Sequence, residues 1–445
     1  MILSVFLRYK MKDILYGNLK LLPIVNEVIA VPEFITMADK KQLGCHCYVN
    51  PAASHTRYEH SIGVACLAQH LVMSLREHHP EQNITDKEVK CVVLAGLFHD
   101  IGHGPLSHFF DMWLINRGVS KPHCEHEYRS KIVLRYLVYK YKWDISDDEI
   151  EIIGNMIDPS DIKNNNRQYL YQIVANKDFN LDVDKIDYLY RDSKVLRNGY
   201  EKFVGVFDII ENIRIKHNNL VVHQNNQMDI LNLFTLRYMF HRDYYVSSKT
   251  RAVDCIMNDI YNILQTETDI DMLITDENLV TVITTMSDSI IESRILDYEK
   301  TAALYARILS KKWWKCIYEY RNMDIGQLNY KLLQKRLSEL NADYPNYVID
   351  CHKIGLVSGS DKNPLKSIQF YNPKDGSLKQ QDNFVLFHDN YQEIVIYCFR
   401  RVSVKSVHQE NMLKENIAKI IQSELQHCRT IAPLSDFKTI CNWER

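Results

Sequence analysis

From about Ser61 onward, apolar residues return at three- and four-residue steps, and this period limits the chain to a mainly helical body. Ile62, Ala65, Leu67, Leu71, Met73 and Leu75 follow it. Val89, Val92, Val93, Leu97 and Phe98 repeat it within Lys87–His99. Ser130–Tyr141, Ser146–Ile157, Ile230–Leu264 and most of Asp269–Asn341 read the same way, with Asp147 and Asp148 placed to favour a helix start. Only 14 glycines and 11 prolines occur in 445 residues, which agrees with helices rather than a turn-rich β architecture.

The exceptions to that period divide the chain. Residues 1–26 alternate weakly and predict a short strand or hairpin. Lys163–Gln168 is a polar, Asn-rich loop, and Leu220, Val221 and Val222 between Asn pairs suggest a small hairpin within His217–Gln227. Tyr347–Cys351, Ser367–Tyr371, Asn383–Phe387 and Glu393–Arg400 read as strands, followed by a helix over Glu410–Gln426. The expected fold class is therefore mainly α, with a smaller α+β C-terminal lobe. Expected segments are 1–26 as an N-terminal extension, 27–265 as the core, 266–345 as a helical extension and 346–445 as the α+β lobe. Trp313 and Trp314, among Lys311, Lys312 and Lys315, read as packing aromatics inside a helix rather than a nucleic-acid platform.

Composition excludes several classes. The formal net charge is -2, with no long basic tail, so the chain as a whole is not an obvious nucleic-acid or membrane binder. The 11 cysteines are odd in number and scattered, with no CxxC pair. That argues against a zinc-finger or disulfide framework and for a reducing, intracellular setting, cytoplasmic or nuclear. No uninterrupted apolar run is long enough to cross a membrane.

The chemistry-bearing signal is His60, then His99–Asp100, then Asp184. His99–Asp100 ends an apolar helix and runs into Ile101-Gly102-His103-Gly104-Pro105, where glycine and proline stop the helix. Two imidazoles and two carboxylates make a mixed nitrogen and oxygen shell that suits Fe, Mn or Zn and leaves positions open for water or phosphate. A lone histidine is more often a hydrogen-bonded structural residue; four such residues in order weaken that reading. A second group, His103, His108, Asp111 and His126, offers what phosphoester cleavage needs, a proton for the leaving oxygen and charge for the phosphate. His123 reads as a surface residue. On a helix over Asp182–Asp192, Asp184, Tyr188 and Asp192 share one face, and the adjacent Lys185 can reach a phosphate.

The stretches Ser54-His55-Thr56-Arg57-Tyr58-Glu59-His60-Ser61-Ile62-Gly63-Val64, Ala95–Pro105 and Asp182–Asp192 resemble the HD-domain deoxynucleotide triphosphohydrolases. They are most similar to the branch in which a SAM domain precedes the HD domain in animals. The resemblance covers about Asp13 to Val404, including Asn363-Pro364 and Phe370-Tyr371, and no SAM domain is expected before the HD region here. It implies an HD-domain helical core and a metal held by His60, His99, Asp100 and Asp184, with Mg accompanying the triphosphate. It implies that Arg57, Lys185, Tyr188 and Arg237 hold the triphosphate. It also implies that Gln42, Leu43, Asp192 and Tyr245 bind the sugar, with Leu43 and Tyr245 excluding a 2′-hydroxyl. The implied reaction is hydrolysis of a dNTP at the α-phosphorus. His108 would protonate the 5′-oxygen, oriented by Asp111 and His126, and His103 and Arg57 would stabilise phosphate charge.

One segment departs from the family. Where the family reads FQRLRxIKQLG, this chain reads Phe34-Ile35-Thr36-Met37-Ala38-Asp39-Lys40-Lys41-Gln42-Leu43-Gly44. Thr36 and Ala38 replace two arginines, and Ala30 replaces an upstream acid. In regulated members these positions bind an activating guanine nucleotide, so activation is expected to be weakened, altered or absent. Val246 replaces a glutamine beside Tyr245, which points to a different base preference. A homo-oligomer, dimer or tetramer, is the expected assembly, with weak single-stranded nucleic-acid binding possible and no membrane contact. The competing readings are an HD-type phosphodiesterase or single-strand nuclease, and a catalytically idle regulatory or nucleic-acid-binding protein.

Overall fold

The computed structural model describes residues 11–160, 162, 165–196, 205–322, 328–355, 364–379, 392–401 and 406–425. The strand expected at Asn383–Phe387 lies outside the described residues. The chain packs as two units. One comprises 1–313 with 364–384, and the other comprises 314–363 with 385–445.

In the first unit the Arg57–His78 helix is buried along most of its length, through Ile62, Val64, Ala65, Leu67, Ala68 and Leu71. Its start is fixed by Thr56 and Glu59, with the Thr56 N–H donating to Glu59 Oε2 at 3.1 Å. Thr85 with Glu88 and Ser146 with Glu149 start the Asp86–Phe98 and Asp147–Ile157 helices in the same way. The Asp86–Phe98 and Val183–Leu196 helices pack on the central one. Gly63 permits the second contact, since a Cβ there would stand 2.1 Å from Asp187 Oδ1 and 2.3 Å from the Arg191 guanidinium. The metal-motif residues thus come from three helices that meet at one end.

Lys12–Asp13 pairs with Gly17–Asn18 as a short hairpin. A second hairpin, Ile213–Lys216 with Asn219–His223, turns through His217 (φ 48°) and Asn218 (φ 62°), the left-handed pair that matches strand twist. Phe370–Tyr371 adds parallel to its second strand, so residues 364–379 pack with the first unit. Among the described residues, no helix is long and apolar enough to cross a membrane.

In the second unit Gln392–Arg400 lies between Lys315–Asn322 and Tyr347–Gly355, antiparallel to both. Leu333 and Leu337 of the Tyr330–Ala342 helix, and Leu413, Ile417 and Ile421 of the Val407–Leu425 helix, close a core over Ile394, Ile396 and Cys398. One expectation is corrected here. Trp313 and Trp314 follow the Glu299–Leu309 helix rather than lying inside it, and the Lys315–Asn322 strand begins beside them. That strand's apolar period is masked by Lys, Glu and Arg on its outer positions. Trp313 donates its indole N–H to Ile308 O at 3.1 Å, and Trp314 is buried, so both pack.

Candidate metal centre and the surrounding site

His60 stands in the first turn of the Arg57–His78 helix, His99 and Asp100 just beyond Phe98, and Asp184 at the start of the Val183–Leu196 helix. Their geometry fixes where lone pairs point. His99 Nδ1 lies 2.8 Å from Gly96 O, which can only accept, so that nitrogen carries the proton. His60 Nδ1 lies 2.8 Å from Asp187 Oδ2 and donates in the same sense. In the neutral rings both Nε2 atoms are therefore acceptors, yet they face each other at 3.1 Å. Asp184 Oδ1 sits 3.1 Å from one and 3.5 Å from the other. Asp100 contributes oxygens at 3.5 Å from His60 Nε2 and 3.4 Å from His99 Nε2.

A buried set of lone pairs and carboxylates without a donor repels itself unless a cation sits among them. The donor atoms of His60, His99 and Asp184 all lie within 4.8 Å of one another, which fits such a cation. Asp100 stands beside this trio, and its second oxygen is taken by the buried Arg57 guanidinium. The same demand for positive charge shows in His60. Burial opposes its protonation, but hydrogen bonds to Asp184 and Asp187 outweigh burial and push its pKa up to about 10.

The second group gathers beside the first. The His103 and His126 rings stack at 3.9 Å, and the exposed His108 meets His103 edge-on. Asp111 Oδ2 lies 3.4 Å from His108 Nδ1, 3.4 Å from His126 Nδ1 and 3.7 Å from His103 Nδ1, and its other oxygen is paired with Arg129. The loop before His108 holds Leu106 (φ 59°) and Ser107 (φ 60°) in the left-handed region, a strain of about 1–3 kcal/mol per residue. Buried contacts hold it: Leu106 N–H donates to Asp288 Oδ1 at 2.7 Å, and Arg57 Nε donates to Ser107 Oγ at 2.7 Å. Lys40, fully buried, donates to His103 O and Ile283 O, both at 2.7 Å. Burial brings its pKa down to about 7.

The remaining expected residues divide. Asp192 is buried and accepts from Tyr245 Oη at 2.5 Å and from His55 Nε2 at 2.6 Å. Tyr245 is placed by a π-helical turn over His241–Tyr245. Arg237, Lys185, Asp184 and Asp182 act electrostatically on Tyr188; burial raises its pKa, and Arg237 and Lys185 pull it back. Gln42 is buried, and Leu43 stands beside it half-buried. The Lys185 ammonium is bonded to the buried Asp182 at 2.7 Å. His123 is half-buried and meets Asp276 Oδ1 at 2.8 Å rather than joining the cluster.

Sequence reasoning missed Asp187, Arg191, His55, Arg129, Lys40 and Asp288. Asp187 and Arg191 carry a legible signal, since they are four apart in the acidic helix and form a two-bond pair at 2.9 Å. His55 precedes Arg57 by two and was readable as a second imidazole in that motif. Lys40 and Asp288 had no local signal, because 248 positions separate them.

His55 supplies one testable consequence. Its bond fixes the Asp192 carboxylate, so if Asp192 holds the substrate sugar, as the resemblance implies, His55→Ala is expected to raise KM about 10- to 100-fold, the loss of one charge-assisted hydrogen bond. Steady-state kinetics on dATP checks it; an unchanged KM contradicts the link.

A helical core carrying paired imidazoles and carboxylates beside a second histidine-rich cluster defines a metal-dependent phosphohydrolase. The HD domain model matches residues 57–192. An HD domain-containing protein of Acanthamoeba polyphaga mimivirus is 30% identical over 422 residues, covering 86% of this chain and 91% of that protein. The Dictyostelium discoideum homolog of deoxynucleoside triphosphate triphosphohydrolase SAMHD1 is 28% identical over 403 residues, covering 87% of this chain and 76% of its own. The Bos taurus enzyme of that name is 29% identical over 411 residues, 82% and 69% of the two chains. The chain belongs to the HD-domain family, and it is similar over most of its length to proteins named as deoxynucleoside triphosphate triphosphohydrolases.

Proposed function

We propose that this protein hydrolyses deoxynucleoside triphosphates to deoxynucleoside and triphosphate. The observation that carries the reading is the facing pair of His60 and His99 acceptors with Asp184 at 3.1 Å from the first. A divalent cation (Fe, Mn or Zn) held by His60, His99, Asp100 and Asp184 would polarise the α-phosphate and activate a water, with Mg accompanying the triphosphate.

The chain's own groups do the rest. Arg57, Lys185, Tyr188 and Arg237 hold phosphate oxygens. Lys185 would have to share its ammonium with Asp182, to which it is now bonded. Water adds to the α-phosphorus, the bond to the 5′-oxygen breaks, and His108 gives that oxygen its proton. Asp111 and His126 orient His108, and His103 and Arg57 carry part of the charge that develops on phosphate. Asp192 and Gln42 take the sugar, and Leu43 and Tyr245 fill the space a 2′-hydroxyl would need.

Activation is read from the altered segment. Thr36 Oγ1 lies 3.0 Å from both Pro32 O and Thr284 O, either of which can take its one proton, so this side chain is satisfied inside the chain. Each missing arginine removes about 1.5–3 kcal/mol of charge-assisted bonding to a guanine nucleotide. Turnover is expected without GTP or dGTP. A dimer or tetramer and an intracellular setting accompany this reading.

Chromatography of products from each dNTP and rNTP, with and without GTP, tests it. Deoxynucleoside plus triphosphate, formed without GTP, is the expected result. Nucleoside monophosphate would move the site to the phosphodiesterase or nuclease reading, and a strict GTP requirement would contradict the account of activation.

A further inference from the structure

We propose that His46 is a specificity-determining residue: it ties Leu43 to the turn that carries Tyr245, and so sets the gap that admits deoxyribose and excludes ribose. This deepens the proposed function and rests on its assignment of Leu43 and Tyr245 as the walls at C2′. Two connections make the tie. The His46 N–H donates to Leu43 O at 3.0 Å. Its ring Nδ1 lies 2.7 Å from Thr250 Oγ1, and Thr250 Oγ1 lies 2.8 Å from Tyr244 O. His46 and Thr250 are both buried.

The proton positions follow from the partners. A carbonyl oxygen only accepts, so the one Thr250 hydroxyl proton goes to Tyr244 O. Thr250 Oγ1 then accepts from His46 Nδ1–H, and from Ser247 Oγ at 2.9 Å. Burial brings the His46 pKa down to about 4 against the pull of the Asp192 carboxylate, so the ring is neutral near neutral pH and its one N–H is committed to Thr250. Nε2 is left as a buried acceptor without a hydrogen-bond partner among the described residues. Such a nitrogen costs stability that an apolar side chain would not, which sets His46 apart from a packing residue.

Both walls depend on the tie. Tyr245 closes a π-helical turn, a conformation found mostly as single turns that their surroundings hold in place. The His46 ring meets the Tyr244 ring edge-on at 5.7 Å, so it supports that turn through a side chain as well as through a carbonyl. On the other side, Gly44 (φ 49°) turns the chain between Leu43 and His46, and a Cβ there would stand 2.4 Å from Leu106 O. The Leu43 turn is thus packed against the loop before His108, and one imidazole fixes its distance from the Tyr245 turn. Tyr245 keeps its bond to Asp192 when the tie is cut, so the gap loosens while the sugar contact stays.

The test measures kcat/KM for dATP and for ATP with the full chain and takes their ratio. His46→Leu and Thr250→Val should each lower that ratio about tenfold, as ATP gains entry. His46→Asn, whose amide N–H can stand where Nδ1–H stands, should keep the ratio within about threefold of the wild type. A change that only weakens the fold lowers both substrates alike, so an unchanged ratio in His46→Leu and Thr250→Val overturns the tie. A ratio that falls equally in His46→Asn also overturns it. Thr250→Val keeps the side-chain volume and reads the tie even where His46→Leu fails to fold. Equilibrium binding of dATP and ATP in Ca²⁺ separates this inference from the proposed function. If nothing is hydrolysed, the proposed function fails, yet a binding preference for dATP that drops in the same two variants supports the tie. A wild type with no preference for dATP by either measurement overturns it.

Discussion

His99→Ala combined with Asp100→Ala should reduce hydrolysis by at least about 1,000-fold and abolish metal binding at the His60–His99–Asp184 centre. The size follows from what the pair does. His99 Nε2 is one of two acceptors facing the ion position, 3.1 Å from its partner nitrogen. Asp100 neutralises Arg57, and through Arg57 it fixes Ser107 in the strained loop that precedes His108. The double change therefore removes ligands and releases the proton-donating loop together. Arg57 is left buried without its carboxylate, so some loss of stability accompanies the change. Asp184→Asn separates the two effects. Its side chain is 32% exposed, so the fold should persist while metal affinity falls. Near-normal turnover in the double variant, with metal retained, would contradict the site.

Asp187→Ala should cost about 3–5 kcal/mol of stability, as expected when one partner of a buried ion pair is removed. Asp187 is fully buried, holds Arg191 through two 2.9 Å bonds, takes the His60 Nδ1–H, and accepts from Tyr16 Oη at 2.7 Å. Asp187→Asn keeps the shape and should instead weaken metal binding about 10- to 100-fold, because His60 loses the partner that sets its tautomer. Burial alone would raise the Asp187 pKa, but Arg191 and the His60 bond hold it at about 2. A carboxylate depressed from an unfolded value of about 3.9 to about 2 contributes about 2.6 kcal/mol, fully present above the unfolded value and lost as the pH falls toward the folded one. Denaturant unfolding of the metal-free protein between neutral and acid pH checks both points. The wild type should lose that increment in acid, and Asp187→Asn should show a flatter profile.

The helical core was legible because its signals are local. The apolar periods after Ser61 and over Lys87–His99 and the glycine and proline stop after His99 lie within short windows, as do three S/T-x-x-E capping pairs that went unread. The order of His60, His99, Asp100 and Asp184 was legible for the same reason, since each sits at a helix end that the sequence marks. What stayed hidden is long-range. Lys40 reads as a solvated lysine, yet it is sealed beneath the His103 carbonyl. Asp288 reads as a helix-start acid, yet it joins the Lys41 and Leu106 amides across the fold. The return of 364–379 to the first unit rests on strand pairing of Phe370 and Tyr371 with Val222 and His223, which no local pattern encodes.

Anomalous diffraction from crystals soaked with a low concentration of Mn²⁺ tests the central claim most directly. A strong peak is predicted between His60 Nε2, His99 Nε2 and Asp184 Oδ1, at about 2.0–2.3 Å from each, with Asp100 turned toward it. Crystals with no ion there, and with those side chains bonded to other partners, would contradict it.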